Sequence, residues 1–396
     1  MYEKTFKKFD LLAEFTSSLK GVTRIAFSEE DYEARKYIIN LMKKHKLEIY
    51  IDDVGNIFGI YNKYDEYKKN IVIASHMDTT INSGKYKGLV GLLSGITLVD
   101  FYKNKQFDKN IIIAVFVGRE YYKKTDFIGS RFFVGDKSML ELIPKINDDY
   151  MDFLKKENIL IKNDLSKDVD VFLEIALEQG EKLAHLGENI GIVDFLSSAT
   201  ICDVIIDGEE GYSGNASVEK RHDALVSAAL VITEINEIAM SRCDEGIIAT
   251  VTDLRVISGG NNMVPSKVEM SLEIRGKNNE DIIECMQEIK DAISEVTQIQ
   301  DVFISIKVKK PEDIVYMSDE INEEIIRGCE ECNLSCENII YAYESDALIV
   351  GSNQNCAMII LPNKTGISCN DSEILDIHDF GNGIALLERL ISKIII

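Results

Sequence analysis

A chain of 396 residues with no tryptophan, only four prolines and only five histidines is short of material that many functional classes need. It is also short of positive charge. Against 67 aspartates and glutamates stand 44 lysines and arginines, a formal net charge of −23 at pH 7. That balance excludes a nucleic-acid binder, which needs a basic face, and it suits an anionic membrane surface poorly. No run of about 18 uncharged apolar residues is present, so no membrane span is expected. The opening stretch MYEKTFKKFDLLAEF is charged and has no signal-type apolar core. The eight cysteines follow no disulfide-scaffold spacing, and a chain of this size needs no staples; reduced thiols in a cytoplasmic protein are expected. Internal repeats and low-complexity segments are absent too. Scarce Pro and Trp beside abundant Lys, Ile, Asn and Glu fit an AT-rich bacterial genome.

What remains is ordinary globular composition, 45% hydrophobic and 28% charged, in a chain long enough for two domains with separate cores. Residues 71 to 95, IVIASHMDTTINSGKYKGLVGLLSG, read as a buried strand, a polar turn, a glycine-rich loop and an apolar helix. Ser28 with Glu29, Glu30 and Asp31 opens an amphipathic helix running to about His45. Leu47 to Tyr61 reads as a strand pair, and Ile111 to Val117 as a second buried strand ending in Gly118-Arg119-Glu120. Strands alternating with helices predict an α/β class built on a largely parallel sheet, and sites in such sheets lie at the carboxyl ends of strands. His76 and Glu120 both fall there.

The pattern changes near residue 198. Strands at 199–207, 247–256, 267–275 and 302–309, with helices at 217–240 and 279–296, give the order βαββαβ of a ferredoxin-like split unit. After Pro311 the α/β pattern resumes, with helices from about Ser318 and about Asp379 and a strand at 357–361. The expected layout is therefore a discontinuous α/β domain, 1–197 with 312–396, interrupted by a smaller domain, 198–311.

Six segments in this order resemble the motifs of the zinc-dependent amidohydrolases of the N-carbamoyl-L-amino-acid hydrolase, allantoate amidohydrolase and β-ureidopropionase type, within the aminoacylase/carboxypeptidase superfamily of zinc peptidases. They are Ser75-His76-Met77-Asp78 with its glycine loop; Phe116-Val-Gly-Arg-Glu120 followed by Ile128-Gly-Ser-Arg-Phe132; Glu174-Ile-Ala-Leu-Glu-Gln-Gly180; Gly208 to Leu225; Asn262-Met-Val-Pro265 with Arg275; and Gly366-Ile-Ser-Cys-Asn-Asp-Ser-Glu373. The resemblance spans nearly the whole chain. It implies a zinc-peptidase domain carrying a lid that also makes a homodimer, and two metal ions that polarise the scissile carbonyl and hold the attacking water while a glutamate removes its proton.

Set against that family, this chain keeps His76 and Glu120 at metal-ligand positions and Asp78 as the partner of the histidine. Lys87 stands where the bridging aspartate would be, and Ala176 and Cys369 where histidines would be. Arg119 occupies the general-base position and Tyr212 the lid position that would stabilise the oxyanion. Glu344-Ser-Asp346 replaces a Gly-His-Asp. Gln179, Asn262 and Arg275 match substrate-binding positions, and Arg suits a carboxylate. Arg cannot act as a base and alanine cannot ligate. Asp to Lys and Glu to Arg change the site by two charge units each, four in all, which is the charge of two absent Zn²⁺ ions.

The expectation is thus a non-catalytic homologue with no metal cofactor. It would bind a small carboxylate or ureido ligand, or regulate an active paralogue. The alternative is an active hydrolase of linear amides with a reduced or rebuilt site that uses zinc or manganese through His76, Asp78, Glu120, Asp346 and Cys369. A third reading has Lys87 or Cys369 as a metal-independent nucleophile. Cys329, Cys332 and Cys336 lie on one helical face and read as core thiols. His222 and Asp223 suit a helix start, and His45, His185 and His378 are expected to face solvent. The Lys103-Asn104-Lys105 and Lys307 to Lys310 patches read as solvated surface.

Overall fold

The computed structural model describes residues 2–102, 105–120, 122, 125–196, 198–214, 217–257, 260–311, 314–341 and 345–395. Two compact units share the chain. One runs to Asp194 and resumes at Tyr316; the other is Phe195–Val315. The expected bounds, 198 and 311, fall just inside the second unit.

Four neighbouring parallel strands form the middle of the first unit: Cys356–Leu361, Val169–Leu177, Asn70–His76 and Asn110–Phe116. Ile57–Tyr61 and Leu47–Ile51 extend the sheet antiparallel on one side, and Ile190–Leu196 on the other. All seven residues of Asn70–His76 are buried, as are all seven of Asn110–Phe116, which is how strands covered on both faces read. The helix Leu89–Leu98, buried along its entire length, packs on Asn70–His76, and the C-terminal helix Ile377–Ile394 packs on Leu89–Leu98. The strand Val169–Leu177 lay hidden in the sequence because Asp170 and Glu174 break its apolar run, yet it occupies the centre of the sheet.

The early helix forms as its start signal indicates. Ser28 Oγ accepts from Asp31 N, three acidic residues occupy the first turn, and the helix covers Glu29–Lys44. Buried Asp31 pairs with Arg35 at 2.8 Å, one turn on.

The second unit is a four-stranded antiparallel sheet in the order Ile248–Ile257, Lys267–Gly276, Ser198–Asp207, Phe303–Pro311. With the helices Ala224–Ser241 and Asn279–Gln300 it has the expected βαββαβ order. Lys267–Gly276 alternates strictly between half-buried and buried residues. Val268, Met270, Leu272 and Ile274 enter the core with Val231, Ile235 and Ile289. The first helix starts later than the expected 217: Asp223 accepts from the amides of Leu225 and Val226, and this cap fixes the start at Ala224. The second helix runs past the expected 296 to Gln300. By length and composition alone Ala224–Ser241 could cross a membrane, with mean hydropathy 1.4. It escapes a count of uncharged residues because Glu234 and Glu237 interrupt it. Its buried face, including Ala228, Val231 and Ile235, joins the core, while Leu225, Val226, Leu230 and Met240 stay exposed.

The alternation in Lys267–Gly276 makes a direct prediction. Leu272→Ala should cost about 2–5 kcal/mol of stability, whereas Glu269→Ala, on the opposite face, should change it by less than about 1 kcal/mol. Urea unfolding of the two variants measures both, and equal costs would refute this register.

Candidate functional site

The carboxyl ends of the four parallel strands gather the polar residues of the first unit. His76 and Phe116 end adjacent strands in register, so Asp78 and the Gly118-Arg119-Glu120 turn leave the sheet side by side. Glu120 N donates to Asp78 Oδ2 at 2.8 Å. Buried Asn56 fixes the departure point: its Oδ1 accepts from Val117 N at 3.0 Å, and its Nδ2 donates to Gly129 O at 3.0 Å. His76 is buried and donates through Nδ1 to Asp78 O at 3.0 Å, with Asp78 Oδ1 at 3.7 Å. The Nε2 edge of its ring lies against Gly88, where φ is +76° and an added Cβ would fall 2.7 Å from Nε2. Only glycine meets both conditions.

Lys87, one residue earlier in the same loop, turns its ammonium to Glu120. Nζ lies 2.9 Å from Glu120 Oε1 and donates to Cys369 Sγ at 3.1 Å. Arg119 Nη1 reaches the same Glu120 oxygen at 2.9 Å, and its guanidinium sits 5.6 Å from the Phe127 ring centre. The three side chains are largely enclosed, at 12% exposure for Lys87, 3% for Arg119 and 14% for Glu120. Burial alone would raise the Glu120 pKa, but Arg119, Lys87 and His76 outweigh it and bring it down to about 2. Burial would likewise favour a neutral Arg119; the negative charge of Glu120, Asp346 and Glu174 prevails and raises its pKa.

Further carboxylates surround this cluster. Glu373 Oε2 accepts from the amides of Tyr86 and Lys87, both at 3.1 Å, and this approach needs Gly84, because a Cβ there would fall 2.1 Å from that oxygen. Burial raises the Glu373 pKa against those amides. Glu174 Oε2 accepts from Ser345 Oγ at 2.6 Å and Ala347 N at 3.0 Å. Asp346 is fully buried. Burial and Glu174 push its pKa up, against the pull of Arg119, His76 and Ser130. Gln179 Nε2 donates to Tyr341 OH at 3.1 Å.

The structure therefore brings together His76, Asp78, Lys87, Arg119, Glu120 and Cys369. Ala176 shares a strand with Glu174, two residues away, and pairs with Ile360. Sequence reasoning assigned no role to Glu174, Glu373 or Tyr341. The available signal was a glutamate inside an otherwise apolar strand, at Glu174, since buried carboxylates are rare without partners. Glu344 lies outside the described residues, as do Lys103 and Asn104. Among the described residues, no group of three or more His, Cys, Asp or Glu side chains is arranged to hold a metal ion.

In the second unit Tyr212 is 52% exposed and pairs with Met263 across a two-stranded ribbon. Asn262 is exposed, and its carbonyl accepts from Ser213 N at 2.9 Å. Arg275, near the end of its strand, is ion-paired through Nε with Glu273. His222 Nδ1 contacts Asp301 O at 2.7 Å. His45 does not stand free in solvent: its Nδ1 lies 2.9 Å from Asp100 Oδ1, with the ring 17% exposed. His185 and His378 are exposed, as expected. The three cysteines do not share a helical face: Cys329 is buried on the helix Asp319–Glu331, half-buried Cys332 caps its end, and half-buried Cys336 opens the strand Cys336–Tyr341.

No family model matches the chain. It is 28% identical over 387 residues to an N-carbamoyl-L-amino-acid amidohydrolase of Pseudomonas sp. (strain NS671), covering 94% of this chain and 93% of that protein. It is 25% identical over 390 residues to the allantoate amidohydrolase of Escherichia coli (strain K12), covering 94% and 93%. Among solved structures, a hydantoinase/carbamoylase-family amidase from Burkholderia multivorans superposes with a TM-score of 0.86 at 18% identity, over 99% of this chain and 98% of that one.

The Glu120 cluster predicts a pH dependence. Its folded pKa of about 2 lies below the unfolded value, so its stabilisation is complete above about pH 5 and is lost as pH falls towards 2. The shift corresponds to about 3 kcal/mol at most. The stability difference between the natural protein and Glu120→Gln should therefore shrink from pH 7 to pH 3 in urea titrations. A difference independent of pH would contradict the assignment.

Proposed function

We propose, from the premise that its homologues and structural neighbours are N-carbamoyl-amino-acid amidohydrolases, allantoate amidohydrolases and hydantoinase/carbamoylase-family amidases, that this chain is a non-catalytic relative of those enzymes. It keeps their fold and binds a small carboxylate or ureido ligand. One observation carries the reading: a single oxygen of Glu120 is held by two side-chain cations, Lys87 and Arg119, each at 2.9 Å.

The residues present do not fit a pair of zinc ions. Zinc takes thiolate, imidazole or carboxylate donors, and here the enclosed carboxylate is already neutralised. Lys87 and Arg119 would repel a cation about 4 Å away by roughly 4 kcal/mol per unit charge. Ala176 offers no donor. An always-protonated guanidinium at the general-base position cannot take a proton from water. Two ammonium-type charges at the strand ends supply what a metal would otherwise supply to Glu120: a fixed positive partner that keeps the centre folded.

Ligand capture draws on Arg275 and Asn262 of the second unit. Arg275 would exchange Glu273 for an incoming carboxylate, a bidentate partner it can hold through two parallel N–H donors. The exposed apolar face of Leu225, Val226, Leu230 and Met240 supports a homodimer through this unit. Association with an active paralogue in the cytoplasm would give such a protein a regulatory role.

Metal analysis beside hydrolysis of N-carbamoyl amino acids tests the reading. The natural protein should hold no stoichiometric zinc or manganese and should turn over no substrate. The combined Lys87→Asp, Arg119→Glu, Ala176→His and Cys369→His variant should gain zinc affinity by orders of magnitude. Two tightly held zinc equivalents, with hydrolysis abolished by Glu120→Ala, would establish the rebuilt-hydrolase alternative instead. In calorimetry, Arg275→Ala should weaken any N-carbamoyl amino acid binding at least tenfold, and unchanged affinity would remove Arg275 from ligand capture.

A further inference from the structure

The contact between Lys87 Nζ and Cys369 Sγ, 3.1 Å, has no part in the reading above and stands independently of it. Three restraints fix the pair. Glu373 Oε2 holds the Lys87 amide at 3.1 Å, Glu120 Oε1 holds the ammonium at 2.9 Å, and Ser368 Oγ lies 3.7 Å from the sulfur. Glu373 itself is buried, and its second oxygen, Oε1, has no donor, so an unused acceptor stands beside the pair. Cys369 is half-buried, unlike Cys202, Cys285, Cys329 and Cys356, which are closed to solvent. Exposed Cys243 has a carboxylate, Asp244, as its sulfur's neighbour at 3.9 Å. Reactive thiols are partly exposed with a cation beside them; Cys369 is half-buried and has the Lys87 ammonium at 3.1 Å.

We propose that Lys87 and Cys369 form an oxidation-sensitive pair, in which a hydroperoxide oxidises the thiol and the lysine nitrogen traps the product as a nitrogen–sulfur bond. In the first step the Cys369 sulfur attacks the peroxide, whose O–O bond breaks. Sulfur gains one oxygen as sulfenic acid, the peroxide is reduced by two electrons, and water leaves from hydrogen peroxide, or an alcohol from an organic hydroperoxide. In the second step the Lys87 ammonium gives one proton to solvent, which frees the nitrogen lone pair; Nζ then bonds to the sulfur as the S–O bond breaks, and the departing hydroxide leaves as water with a second proton from the nitrogen. Sulfenic acids condense with nitrogen in this way, and here the nitrogen is already at hydrogen-bond distance. Two equivalents of a small thiol reverse the change, returning the amine and the cysteine thiol and forming a disulfide between the reductants. The oxidised pair carries no positive charge, so Glu120 keeps Arg119 and loses its second cation. The charge of the centre thereby depends on the surrounding oxidant.

The test uses the full chain treated with hydrogen peroxide, then digested and analysed by mass spectrometry with and without dithiothreitol. A Lys87–Cys369 cross-linked peptide is expected, lighter by two hydrogens than the sum of its parts and lost on reduction. Cys369→Ser should abolish it. Lys87→Arg keeps the charge but lacks the trapping amine; it should lose the cross-link and raise dimedone labelling of Cys369 several-fold, with circular dichroism confirming that the variant is folded. Three results would overturn the proposal. One is Cys369 labelled equally in the natural protein and in Lys87→Arg. Another is oxidation confined to Cys243, Cys332 or Cys336. The third is a cross-link that retains the peroxide oxygen, which would exclude the N–S bond.

Discussion

At the carboxyl ends of the four parallel strands one carboxylate oxygen, Glu120 Oε1, takes Lys87 and Arg119 together. A charge so enclosed is costly unless paired, and removing one partner of a buried pair costs far more than the pair contributes. The interaction therefore acts as a constraint. With Glu120 ionised, a cation must stay beside it.

That constraint reaches outward through the backbone. Glu120 is placed by the hydrogen bond its backbone N–H donates to Asp78, Asp78 by its closeness to His76, and His76 by the end of a fully buried strand. Lys87 is placed from the other direction, by Glu373 at its amide, and Glu373 can approach only because residue 84 has no side chain. Asn56 adds a third anchor, tying the turn before Gly118 to the following helix. Lys87 and Glu120 are each held by a main-chain hydrogen bond as well as by an ionic partner.

The two units illustrate how far fold and chemistry separate. The βαββαβ unit needs only a period-two strand over two amphipathic helices, and it tolerates any surface on its outer faces. The α/β unit needs buried strands and close helix packing. Neither requirement concerns the identity of the few residues at the strand ends, so a fold shared with amidohydrolases leaves those residues free to vary.

Periodicity and order in the sequence by themselves determined the α/β class, the separate βαββαβ unit, the Ser28 cap and the positions of His76 and Glu120 at strand ends, because these follow from local hydrophobic pattern and side-chain chemistry. The resemblance to amidohydrolase motifs, not periodicity, implied that Lys87, Arg119 and Cys369 share one centre. Which atoms meet was decided only by the tertiary structure. Lys87 and Cys369 are 282 residues apart and Lys87 and Glu373 are 286 apart, and no local rule carries across such spans. The sharing of one Glu120 oxygen, the donorless Oε1 of Glu373 and the engagement of Arg275 by Glu273 depend on ångström-scale distances. Those distances are set by the packing of entire strands and helices, so they appear only once the chain is folded.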